Sequence, residues 1–88
     1  MMSRRRSYSR EIDEILSQLP EDERRALEYF LVNVSVGELC ALRELQYVEG
    51  VPDPSRVLSS LVRRGLLERA GGCYNLSPKL RELLRRRS

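Results

Sequence analysis

The sequence has no histidine and no tryptophan, a single phenylalanine, a single lysine and two cysteines. Without histidine it lacks the commonest general base and the commonest metal ligand. Cys40 and Cys73 stand far apart and do not have the paired spacing of a structural zinc site. Gly71-Gly72 is too short to cradle a phosphate and reads as a turn. No enzyme, cofactor or metal is therefore expected. A bilayer span needs roughly eighteen apolar residues in a row, and no such run occurs, so no membrane partner is expected. The basic start MMSRRRSYSR is followed by acids and not by an apolar segment, unlike a secretory signal. A cytoplasmic, nucleoid-associated protein is the expectation. In that setting a Cys40–Cys73 disulfide is disfavoured. Cys40 falls on an apolar helix stripe and reads as core, while Cys73 falls on a strand beside the glycines, where redox sensing is the functional alternative.

What the chain does have is charge, unevenly placed. Net charge is +3 over 88 residues, enough chain for one small domain. Residues 1–10 carry +4, residues 11–49 carry −7 and residues 50–88 carry +6. A basic half is the electrostatic footprint expected of a nucleic-acid contact. The acidic half offers a surface to a protein partner. Fifteen of the sixteen basic residues are arginine, which pairs bidentately with phosphate and guanine where lysine does not.

Residues 1–8, small, polar and arginine-rich, read as a disordered basic arm, and residues 9–88 as a single domain with a basic tail at 85–88. Apolar spacing and capping signals predict helices near 9–19, 21–34, 36–46, 53–64 and 78–86. The stripes are Ile12, Ile15, Leu16 and Leu19, then Leu27, Phe30, Leu31 and Val34, then Leu39, Cys40, Leu42 and Leu45, then Val57, Leu58, Leu61 and Val62, and last Leu80, Leu83 and Leu84. Ser35 and Glu38 match a capping box for the third helix, and Val34–Val36 can also supply a short edge strand. Asp53 is placed to cap the fourth helix, with Pro54 at its first position. Gly65 suits the left-handed exit. A hairpin is expected at 66–69 and 73–76, turning at Gly71-Gly72. Fold class is mainly α with a small β-hairpin, an α+β domain.

On the fourth helix Arg56, Ser59, Ser60 and Arg63 lie on one face at three- and four-residue steps. That face has two guanidiniums, two small hydroxyls and no acid, a composition able to lie against a nucleic-acid groove. The stretch LVRRGLLERAGGCYNLSP, with Leu61, Arg63, Arg64, Gly65, Leu66, Leu67 and Arg69, the paired glycines and the Tyr-x-Leu strand, resembles the recognition helix and wing of winged helix-turn-helix domains in small bacterial and archaeal transcription regulators. The resemblance covers roughly residues 24–84, the winged core being about 21–84. It implies double-stranded DNA as partner. Arg56, Ser59, Ser60 and Arg63 would then face the major groove, Arg64 a phosphate, and Arg69 the backbone beside the wing. Residues 9–19 are extra to a winged core and are expected to pack across a partner copy, making a homodimer. The same fold also serves protein-interaction modules. The alternative expectation is therefore an interaction module in a transcription, replication or membrane-remodelling assembly, using the acidic half. RNA reading is weaker, because Tyr8, Tyr29, Tyr47 and Tyr74 do not gather into one stacking surface.

Overall fold

The computed structural model describes residues 8–86. The chain runs α1 (Arg10–Ser17), α2 (Glu21–Asn33), β1 (Ser35–Gly37), α3 (Glu38–Tyr47), α4 (Pro54–Arg63), β2 (Leu67–Ala70), β3 (Cys73–Leu76) and α5 (Pro78–Arg85). It is mainly helical, with one small antiparallel sheet in the order β1-β3-β2. The expected hairpin is present. Ala70 pairs with Cys73 across a turn in which Gly71 and Gly72 both have positive φ, 60° and 77°. Of the expected basic arm, residues 1–7 lie outside the described residues, as do 87 and 88 of the tail. Tyr8, the arm residue that is described, is half-buried and packs against the core.

Local chemistry explains most boundaries. Ser9 caps α1, its hydroxyl accepting from the Ile12 N–H at 3.3 Å, and Ser77 caps α5 in the same way towards Leu80. Pro54 and Pro78 occupy first turns, where a missing N–H costs nothing. Gly65, at φ 80°, ends α4. Gly50, at φ 74°, turns the chain after α3 so that the Val51 N–H reaches back to the Leu45 carbonyl at 2.8 Å.

Two expected caps are not made. Asp53 has a backbone turned away from a capping geometry (φ −136°, ψ 73°), and its carboxylate goes to Arg56 at 3.4 Å. The Ser35–Glu38 box does not form because residues 35–37 are taken by the sheet. Ser35 pairs with Asn75, donating from Oγ to Asn75 Oδ1 at 2.6 Å, and α3 begins only at Glu38.

The core is Ile12, Leu27, Phe30, Leu45, Val51, Leu58, Leu61, Leu67, Leu76 and Leu80, with their neighbours. Phe30 packs edge-on between Tyr29 and Tyr74, at centroid separations of 5.1 and 6.4 Å. Two expectations about packing are corrected here. Ile12 and Leu16 are buried, with Ile15 and Leu19 packed behind them, and α1 lies on α2 and α5 of its own chain. That stripe packs largely within its own domain, so it gives no support to a homodimer through it. Second, α3 is turned relative to expectation. Ala41 and Leu45 point inward, while Leu39 is 77% exposed and Cys40 is exposed as well.

Candidate interaction surfaces

The residues expected to meet DNA divide into two groups. Arg56, Ser59 and Arg63 are exposed on α4 and Ser60 is half-buried beside them, so the helix does present them on one side. Arg56 is held loosely by Asp53, and Arg63 makes no ion pair or hydrogen bond among the described residues. Arg64 and Arg69, by contrast, are engaged inside the domain. Arg64 Nε donates to Glu23 Oε1 at 2.6 Å, tying the end of α4 to the start of α2. Glu23 is 8% exposed, so Arg64 is the partner that makes its burial tolerable. Arg69 donates to Glu38 Oε2 at 2.7 Å and lies 5.8 Å from the centre of the Tyr74 ring, fastening β2 to the first turn of α3. The pair at α4's end and the pair at β2 therefore hold elements together, where phosphate contacts had been expected.

A second surface includes Leu39 and Cys40, two residues that the stripe spacing assigns to the core. On α3 the side chains Leu39, Arg43 and Tyr47 follow one another at four-residue steps and so stand on one side of the helix. Leu39 and Tyr47 are each 77% exposed, and Val48, just beyond, is 73% exposed. Cys40 lies beside them, also exposed. Arg43 is exposed and has no hydrogen bond or ion pair among the described residues. The other two arginines of the acidic half are occupied, Arg24 and Arg25 by Glu21, and Arg25 also by the Glu49 carbonyl. At the edge of this face the Tyr29 hydroxyl donates to Glu44. Burial, and then the Glu44 carboxylate, push the Tyr29 pKa far up, so the phenol stays protonated and the link stays made.

The signal that could have revealed this surface is in the sequence. The stretch 39–48 is LCALRELQYV, apolar on more than one side of a helix. A helix apolar on two sides in a small domain has one side for the core and one left over. Among the described residues no group of three histidine, cysteine, aspartate or glutamate side chains could hold a metal, and no helix is long and apolar enough to cross a membrane.

A protein family described as PolB1 Binding Protein 2 matches residues 20–82, more than half of the chain. The match runs from the start of α2 into α5 and takes in both surfaces, leaving α1 outside. No curated protein matches the chain.

Proposed function

The chain belongs to the PolB1 Binding Protein 2 family, and from that premise we propose that it is a non-catalytic protein-interaction module whose partner is PolB1. With PolB1 read as a DNA polymerase, the module would serve in replication. That displaces the expectation of a transcription regulator. The observation that carries the proposal is the family match itself. It is consistent with the two inter-element ion pairs, in which Arg64 and Arg69 serve to tie the domain together. The test is direct titration of the full chain against purified PolB1 by calorimetry. Saturable one-to-one binding is expected. No heat and no co-elution at tens of micromolar would end this reading.

A second reading is kept because one observation favours it. Arg63 is unpaired and shares a side of α4 with Arg56, Ser59 and Ser60. The helix order, the glycine exit and the short hairpin also support the finer label of a winged helix-turn-helix. On this reading the chain touches the duplex on which its partner works. Arg56→Ala or Arg63→Ala would then weaken duplex binding by about 1–3 kcal/mol if each reads a base bidentately, and by less if each meets only phosphate. Duplex titrations of wild type and both variants decide it. Wild-type levels of binding in both variants, or no binding by wild type at low salt, remove the second reading.

A further inference from the structure

We infer that the docking surface for PolB1 is the outer side of α3, centred on Leu39, Arg43 and Tyr47, and that PolB1 fills it with an apolar segment carrying a carboxylate between its anchors. This rests on the interaction-module reading and says where, and through what chemistry, the partner binds.

The argument begins with what the domain leaves uncovered. Among the described residues eighteen apolar side chains are buried, and four large ones stand in solvent: Val32, Leu39, Tyr47 and Val48. Three of those four belong to α3 or the residue that follows it. Scattered single exposures are ordinary, whereas grouped ones mark a contact surface. The composition also fits. Side chains that dominate protein interfaces are aromatic residues and arginine, in a patch poor in lysine and glutamate. The ridge is a leucine, an arginine and a tyrosine, with a cysteine beside it.

Charge then restricts the occupant. Arg43 is the one arginine of the acidic half without a partner among the described residues. It stands between two apolar side chains, so covering the ridge strips water from its guanidinium. That is tolerable only if the incoming surface supplies an acceptor, best a carboxylate in bidentate geometry. An apolar segment without an acid opposite Arg43 would bury an unpaired cation. A second copy of this chain offers an arginine there, which argues against self-association through the same ridge.

The test uses the full chain and purified PolB1. Leu39→Ser and Tyr47→Ser should each weaken binding by about tenfold to a hundredfold, the range of interface anchors. Arg43→Glu should weaken it more than Arg43→Ala, because the reversed charge faces the carboxylate while alanine only removes its partner. Val32→Ser, an exposed apolar position on α2, and Arg63→Ala should bind as wild type does. Because the substituted side chains are exposed, unchanged thermal melts are expected to accompany these results. If wild type binds PolB1 and the three α3 positions tolerate change, the surface is misplaced while the interaction-module reading stands. If Arg43→Glu matches Arg43→Ala, the carboxylate is absent and that part of the inference is wrong. If the chain self-associates through Leu39 and Tyr47 and PolB1 binding is indifferent to them, the occupant is a second copy and the inference is overturned. If wild type does not bind PolB1 at all, the underlying reading fails with it.

Discussion

Arg64 shows how a residue expected at a binding surface can serve the fold. Its place at the end of α4, next to Arg63, suits a phosphate contact. Three-dimensionally it reaches across to α2 and neutralises Glu23, a carboxylate whose side chain is only 10% exposed. Removing it leaves an acid with little water and no counter-charge, and such orphaned groups cost about 1–3 kcal/mol. Arg64→Ala should therefore lower the free energy of unfolding by that amount in urea titrations, and the loss should shrink when Glu23 is replaced by Gln as well. Arg56→Ala, at an exposed position on α4 with a loose 3.4 Å pair, should change stability by about 0.5 kcal/mol or less. Equal stability of the two single variants would mean that the 2.6 Å pair is not a structural tie. Val34 is the other telling residue. It is β-branched yet has φ 52° and ψ −50°, a region costly for any side chain and more so for a branched one. It persists because its N–H bonds the Phe30 carbonyl and its own carbonyl accepts from Leu76 N, both at 2.7 Å, which joins the end of α2 to β3. Val34→Gly releases that strain while losing half-buried apolar surface. The two effects are similar in size, so the expected change in stability is small, within about 1 kcal/mol.

Among the elements, α1 is legible in position, while the surface it packs against is not. Its period and its Ser9 cap are local signals, whereas the choice between covering its own domain and covering a partner depends on which faces of α2 and α5 remain open. Here they take Ile12 and Leu16 into the core. Ile12→Ala should cost about 2–4 kcal/mol as a cavity in a fully buried site. Sedimentation should show the same mass for wild type and the variant wherever both are folded. A variant that is stable but shifted from dimer to monomer would restore the dimer interface. The hairpin, the glycine exits and the order of helices were legible for the same reason as α1's position, since each is written within a few residues. The facing of α3 was not. Its apolar residues satisfy two helical registers that share Leu45, one with Leu39 and Cys40 inward beside it and one with Ala41. What selects between them is the pairing of Ser35–Gly37 with β3, nearly forty residues along the chain. That pairing also dissolves the Ser35–Glu38 capping box, and it delays the start of α3 until Glu38. The face on α4 was read correctly as exposed. The commitments of Arg64 and Arg69 were hidden because their acids, Glu23 and Glu38, are distant in sequence.

At the scale of the whole molecule the charge division survives folding as two different kinds of surface. The acidic half carries the apolar ridge of α3, and the basic half carries the unpaired Arg63 with Arg56. Among the described residues the two surfaces share no hydrogen bond or ion pair, and binding at each has its own physical signature. A contact made of Leu39 and Tyr47 with one guanidinium depends mainly on apolar burial, which salt scarcely weakens. A duplex contact through Arg56, Arg63 and one further cation depends on counterion release, and its affinity falls with a logarithmic slope of about 0.9 per phosphate neutralised. For two or three phosphates, raising salt from about 50 to 200 mM should cut duplex affinity by about ten- to fortyfold. The same change should alter affinity for PolB1 by less than about threefold, the one Arg43 pair being covered when bound. The measurement is a pair of titrations, one with random duplex and one with purified PolB1, each at both salt concentrations. Leu39→Ser should then lower the PolB1 curves and leave the duplex curves in place, and Arg63→Ala should do the reverse. If PolB1 affinity falls with salt as steeply as duplex affinity, the acidic half's net charge, and not the ridge on α3, governs the association.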